Sequence, residues 1–274
     1  MKLAIGLLLS HGFPAPTEFW FSYEAMKEHV RTGTANALLP DHLQVTDLKV
    51  FRSTAFPVDV ARNEIVRKVL AEGCDYLFFA DCDHVFQPDT LGRLLAHDKP
   101  VISGRYHMRR EPYHCVGYVK HRWMTGPHAY APVHYGAGVF EIERGGAGCL
   151  LIRRDVLETI EDRIGPNWFR YQRGPEPPHD FTVSEDFWFW QQAREAGFSC
   201  WMDWDVEAGH LQTFAVNRSW NESYLDAQVR ALPEMAPEAR QKALDSFVVC
   251  GLPDGIRLSS GDVVAPYAYS PGER

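Results

Sequence analysis

No stretch of this 274-residue chain reaches the roughly 18 consecutive apolar residues that suggest a membrane-spanning helix. The opening MKLAIGLLLSHGF has one lysine and a short apolar run, without the full hydrophobic region or small-residue cleavage site of a secretory leader. It reads as a first strand, and the cytoplasm is the expected location. Paired cysteine motifs are missing too: Cys74, Cys82, Cys115, Cys149, Cys200 and Cys250 form no CxxC and no compact framework, so reduced thiols are expected. Positive charge is in short supply, with 28 Lys and Arg against 36 Asp and Glu and a net charge of -8. That balance argues against a surface built mainly to neutralise nucleic-acid phosphates or anionic lipid, and leaves room only for a local basic groove.

What is present is enough apolar material, 45% of residues, for one large core or two modest ones. Leu3 to Leu9 is a continuous apolar run ended by SHGFPAP, which fits a buried parallel strand leading into a loop. A helix follows from Thr17, and Leu43 to Phe51 reads as a second strand. In PVDVARNEIVRKVLAEG, Pro57 and Asp59 open a helix, Ala61, Ile65 and Val69 form its apolar stripe, and Gly73 closes it. Tyr76 to Ala80 is the next strand, QPDTLGRLLAH starts a helix, and PVISG gives a further strand. Strands alternating with helices predict an α/β fold with a mainly parallel sheet flanked by helices, on which ligands sit beyond the carboxyl ends of the strands.

From Tyr106 to Ile142 glycines, prolines and aromatics predict hairpins and loops. His107, His114, His121 and His128 recur here every seven residues, but Pro112, Gly117, Gly126 and Pro127 break any helix that would align them. GGAGCLLIRRDVLETI offers a glycine turn, a strand and a helix; VSEDFWFWQQAREAGF is a helix with Ser184 as N-cap and Gly197 as stop. CWMDWDVEAGHLQTF reads as strand and loop. Trp188 and Trp190 are read as packing residues. Beyond Asn217 come two short helices broken by proline and a loose tail, with no internal repeat.

The chemistry gathers in LFFADCDHVF, residues Leu77 to Phe86, where a buried apolar strand runs into two aspartates. On an extended strand Asp81 and Asp83 would point the same way, with Cys82 turned into the fold. Carboxylates so close repel unless one takes a proton or a cation joins them. A hard divalent ion such as Mg2+ or Mn2+ suits these oxygens and commonly shares its coordination with a substrate's phosphates. The plainer reading of so short a motif is that one aspartate caps the next turn and the other is solvated.

LFFADCDHVFQPDTLGRLL resembles the DxD strand and following helix of GT-A glycosyltransferases, particularly family-2-like enzymes that use nucleotide sugars. Other segments resemble that family in the expected order: the first strand with SHG, beginning at Ser10, as the nucleoside-contacting loop; DVARNEIV as the helix flanking the nucleotide; GGAGCLLIRRDVL on the acceptor side; SEDFWFW as the ED motif; and EAGH as the late histidine segment. The span is roughly Lys2 to Leu211. The resemblance implies a GT-A-like catalytic domain over 1–216 and a C-terminal helical extension with a loose tail over 217–274.

By that resemblance Asp83 is the main metal ligand, Asp81 contacts the ribose or shares the ion, and His210 completes the site as a neutral imidazole. Asp186 becomes the candidate general base for the acceptor hydroxyl, with Glu185 beside it; acids in a first helical turn are also favoured by the helix dipole alone. Asp59, Arg62 and Asn63 are either ordinary residues of an amphipathic helix or contacts to the nucleotide. Gly145, Gly146 and Gly148 make a tight turn or allow close approach to a ligand. The implied cofactors are Mn2+ or Mg2+ and a nucleoside-diphosphate sugar donor; the acceptor, a glycan, small molecule, lipid, protein or modified nucleic acid, is open. Two other readings remain. LFFADCDHV also resembles the nucleophile strand of haloacid-dehalogenase-like phosphatases, with Asp81 attacking phosphorus, although that strand usually opens its fold. The third is a non-catalytic nucleotide- or carbohydrate-binding module.

Overall fold

The computed structural model describes residues 1–9, 14–121, 129–173, 181–212, 215–216, 218–250, 252 and 254–266. Two strand–helix units open the chain: β1 (Lys2–Leu8), α1 (Thr17–Arg31), β2 (Asp47–Ser53) and α2 (Val58–Ala71). Next come β3 (Tyr76–Asp81), β4 (His84–Phe86), α3 (Thr90–Ala96) and β5 (Val101–Arg105). The hairpin-rich stretch holds β6 (Gly117–Lys120), β7 (Tyr130–Pro132), β8 (Tyr135–Gly136), β9 (Val139–Glu141) and β10 (Arg144–Gly145). Then follow β11 (Cys149–Arg153), α4 (Arg154–Ile164), β12 (Gln172–Arg173), β13 (Phe181–Val183), α5 (Glu185–Glu195), the long β14 (Cys200–Leu211) and β15 (Ala215–Val216). The C-terminal part has α6 (Arg218–Ala231), α7 (Pro237–Asp245) and three short strands, β16 (Val249–Cys250), β17 (Ile256–Arg257) and β18 (Val263–Val264).

The main sheet runs β15-β14-β5-β11-β3-β1-β2. It is an α/β architecture, mostly parallel through its centre, with β2, β1 and β3 parallel, β14 parallel to β5, and β11 inserted antiparallel between β3 and β5. Both faces are covered, as the unbroken apolar runs demand. Leu3, Ile5 and Leu7 of β1 with Phe78 of β3 join the side packed by α1 and α3. Ala4, Leu77 and Phe79 join the side packed by α2, α4 and α5. The two-residue period of a strand thus feeds two cores from one sheet.

Three boundaries differ from expectation. Leu43 is not in the second strand: Asp41–Leu43 is a single 3-10 turn whose Leu43 plugs the core at 3% exposure, and β2 starts at Asp47. The strand β4 has no periodic signal of its own; it exists because His84, Val85 and Phe86 pair antiparallel with His210, Gly209 and Ala208 of β14. The described part of the tail is not structureless. Val249 and Cys250 pair with Tyr135 and Gly136, β17 and β18 form a hairpin, and Phe247, Val249, Leu258 and Val264 build a small core with Leu225 and Val229 of α6. No helix among the described residues is long and apolar enough to cross a membrane.

Candidate functional site

The carboxyl ends of β3, β5 and β14 deliver the acidic and imidazole groups to one edge of the sheet, where the reversed β11 begins. Strand β3 stops at Asp81, and Cys82 and Asp83 turn the chain into β4. The expectation that both aspartates point the same way along one strand is therefore corrected: the turn sends them to different partners.

Asp83 turns toward β14. Its Oδ1 lies 2.8 Å from His84 Nδ1, and its Oδ2 lies 3.3 Å from His210 Nε2 and 3.2 Å from the Arg109 guanidinium. The two imidazoles stack at 4.4 Å, and His210 Nδ1 donates to the His107 carbonyl at 2.8 Å. With Nδ1 so engaged, Nε2 is the atom left to face the Asp83 carboxylate oxygen, and two such acceptors need a proton or a cation between them. Burial alone would raise the Asp83 carboxyl, but His84 first and His210 next outweigh it and hold it well below the usual carboxylate range. One ligand atom each from Asp83, His84 and His210 lies within 4.8 Å of the others. His84 presents Nδ1 to Asp83, and its buried Nε2, without a hydrogen-bond partner, is turned toward Gly148. One carboxylate with imidazoles suits Mn2+ or another transition ion better than Mg2+, which prefers oxygen.

Asp81 is not in that cluster. Arg62 of α2, 3% exposed, grips it in a fork, with Nη1–Oδ1 3.1 Å and Nη2–Oδ2 2.8 Å. The same guanidinium donates to the Ala147 carbonyl at 3.3 Å, sits 3.6 Å from Glu185 Oε1, and lies over the Phe79 and Phe169 rings. Burial would lower the Arg62 pKa; Asp81 and then Glu185 more than offset it and keep the group charged. Glu185 is buried and hydrogen-bonded to Tyr171. Asp186, one residue on, is only partly buried. Its Oδ1 accepts from the Ser184 hydroxyl and, at 2.8 Å, from the Phe187 amide. Ser184 does stand at the N-cap of α5, but its hydroxyl bonds Asp186 and makes no bond to the backbone there.

Burial first, and the charge of Glu185 second, push Asp186 up to about 7. Between the ordinary carboxylate range and pH 7 the native protein then holds a proton that the unfolded chain has released. Stability must fall as pH rises through that window, and the whole loss is in place above about pH 7. Asp186→Asn, which cannot ionise, is expected to flatten the decline of Tm between pH 5 and 8 in scanning calorimetry; an unchanged slope would assign the decline to other groups.

Tyr106 joins the two centres. Its buried ring meets His84 edge-on at 4.5 Å and His210 at 5.7 Å, and its hydroxyl accepts from the Gly148 amide at 3.3 Å. Burial, with Asp186 and Asp81 adding to it, keeps this phenol neutral. None of the glycines of GGAG takes a positive φ. A Cβ at Gly146 would stand 1.6 Å from the Tyr106 hydroxyl, one at Gly145 2.6 Å from Trp190, and one at Gly148 2.5 Å from the His84 ring. Trp190 is wholly buried, as its packing role requires.

The remaining sequence candidates divide. Ser10 lies outside the described residues. Asp59 sits in the first turn of α2, with Oδ1 3.0 Å from the Val60 amide. Asn63 is buried, and both ends of its amide bond the Phe169 backbone, at 2.8 and 3.0 Å, so it pins the segment before Tyr171. Sequence reasoning missed His84, Tyr106 and Arg109. His84 was signalled by its place directly after the second aspartate; the other two lie in a stretch whose pattern shows only hairpins.

No family model matches this chain, and no curated protein is significantly similar. Solved structures with a related course include A197 from STIV, 14% identical with a TM-score of 0.45 over 77% of this chain and 86% of that one. The catalytic domain of Drosophila β1,4-galactosyltransferase 7 in complex with xylobiose is 14% identical, with a TM-score of 0.39 over 78% and 67%. GalNAc-T7 with UDP, GalNAc and Mn2+ is 11% identical, with a TM-score of 0.47 over 89% of this chain and 54% of that one. This chain therefore spans about half the length of the last. Likeness this distant carries no residue's role to this chain.

Proposed function

We propose that the chain is a metal-dependent, family-2-like glycosyltransferase of GT-A type that moves a sugar from a nucleoside-diphosphate sugar to an acceptor hydroxyl. The observation that carries the reading is an imidazole–carboxylate cluster at one sheet edge, with a half-buried acid poised near neutrality whose charge reaches Tyr106, the ring packed on both imidazoles. Asp83 and His210 would hold the ion, with His84 as a third ligand or as the group that orients Asp83. When bound, the ion offsets charge developing on the diphosphate leaving group.

The rest falls to the side chains. Asp81, fixed by the fork from Arg62, offers its outer lone pairs to the ribose hydroxyls. Asp59, near the start of α2, would meet the nucleotide. Asp186 takes the acceptor proton on Oδ2, because both of its hydrogen bonds fall on Oδ1; a pKa near 7 matches that task at neutral pH. If the acceptor attacks from the face opposite the diphosphate the anomeric centre inverts, and attack from the same face retains it. Transfer should rise with pH through about 7 and level off above it, in a pH profile of kcat/KM. The phosphatase reading needs Asp81 as a strong nucleophile, and the charged fork from Arg62, which draws electron density from both of its oxygens, opposes it.

The test is a thermal-shift panel of the common nucleoside diphosphates and their sugar conjugates, with Mn2+ and with chelator, on wild type and His210→Ala. A ligand at 100 times its Kd stabilises the folded state by about 2.7 kcal/mol, a readily seen shift. A metal-dependent shift with one nucleotide, weakened in the variant, is expected; no shift from any nucleotide would overturn the reading. Gly148→Ala should act on the same readout from a distance. Its new methyl displaces the His84 ring, so Mn2+ affinity measured by calorimetry should fall about 10- to 100-fold, as for groups that orient metal ligands.

A further inference from the structure

A cavity of about 350 Å3 lies between the β6–β7 hairpin and α6. Helix α6 turns Asn221, Tyr224, Leu225 and Gln228 toward it, positions that share one helix face. Facing them are Tyr130, held under the Arg144 guanidinium at 3.8 Å, and three histidines, His114, His121 and His134. His114 and His121 belong to the seven-residue series that no helix could align; the hairpin aligns them instead. Among the described residues the lining contains no Asp, Glu, Lys or Arg. Burial lowers the His114 imidazole, and burial together with His114 pushes His134 down to about 4, so both rings are neutral at pH 7.

A wall of this kind selects by what it lacks. Among the described lining residues a charged ligand would find no Asp, Glu, Lys or Arg to offset its lost hydration, a cost of several kcal/mol. A purely apolar ligand would leave imidazoles, amides and hydroxyls without partners. A molecule rich in hydroxyls, with an apolar ring face for the two tyrosines and no formal charge, satisfies both demands. The volume sits at the low end of the usual 300–1,000 Å3 of ligand pockets, which suits one or two rings rather than a long chain.

The cavity also lies near the proposed chemistry. His114 Nε2 hydrogen-bonds the Tyr118 hydroxyl at 2.9 Å, and the Tyr118 ring meets Phe187, the neighbour of Asp186, edge-on at 5.0 Å. We infer that this cavity holds the acceptor, an uncharged saccharide, with the hydroxyl to be glycosylated directed past Tyr118 toward Asp186. The word acceptor rests on the transferase reading; occupancy by a neutral saccharide does not.

The experiment is a printed array of neutral, uronate-bearing and phosphorylated glycans probed with the full chain, without donor or metal, followed by calorimetry on the best binder. Wild type is compared with Tyr224→Ala and Gln228→Ala, both checked for fold by circular dichroism. The expected result is binding to neutral glycans alone, weakened at least tenfold by Tyr224→Ala and measurably by Gln228→Ala, while the Mn2+-dependent nucleotide shift of both variants stays at the wild-type value. Preference for charged glycans, binding unaffected by both substitutions, or no binding anywhere on the array would each overturn the inference. Saccharide binding of the expected kind with no nucleotide shift in wild type would uphold the cavity and sink the transferase.

Discussion

Asp83→Asn is expected to lower kcat/KM for sugar transfer by about a thousandfold or more, equivalent to about 4 kcal/mol of lost transition-state stabilisation. The substitution keeps the side chain's size and removes the charge on which His84, His210 and Arg109 converge. A ligand lost from the ion should weaken both ion binding and the stabilisation of the leaving diphosphate. Excess Mn2+ should recover the first effect and leave a deficit in kcat. Steady-state kinetics across a Mn2+ titration separates the two. Activity within tenfold of wild type at saturating Mn2+ would remove Asp83 from the mechanism.

Arg62→Met should produce the largest loss of stability. The wild-type guanidinium is buried and bonds Asp81 through two nitrogens, with Glu185 on its remaining edge. Methionine fills much of the volume and leaves the two carboxylates without their cation. Breaking a buried pair in this way costs about 3–5 kcal/mol, most of it the penalty of the stranded charge. For a chain of this size that corresponds to a fall in Tm of roughly 6–20 °C at pH 7. If the stranded charge is the cause, adding Asp81→Asn and Glu185→Gln to Arg62→Met should restore a good part of the loss. A fall of under 2 °C in the single variant would mean that water reaches the carboxylates and the pair is not truly buried.

The two centres were unequally legible. The strands carrying them declare themselves because both faces of the sheet are covered, so each reads as an unbroken apolar run. Asp83 and His210 could be named from order and motif, but their meeting depends on β4, three residues whose pairing partner lies far along the chain. Arg62 stood out as a polar residue near a helix start. Its bond to Asp81 was invisible, because helical periodicity says which face a residue occupies and not which strand end lies opposite. The GGAG glycines carried a turn signal, yet their reason is the bulk of Tyr106, Trp190 and His84, which only tertiary packing sets against them.

The bond from the Gly148 amide to the Tyr106 hydroxyl has a wider meaning. Those residues are the first and last between β5 and β11, so the stretch that lends β9 to the edge of β14 begins and ends within one hydrogen bond. A loop whose ends are already held together tolerates growth cheaply: each doubling of its length costs only about 0.6 kcal/mol in closure entropy. Growth or pruning between β6 and β7 could alter what relatives of this chain recognise, while His107, Arg109 and Ala147, whose contacts to His210, Asp83 and Arg62 hold the carboxylate edge, stay in place.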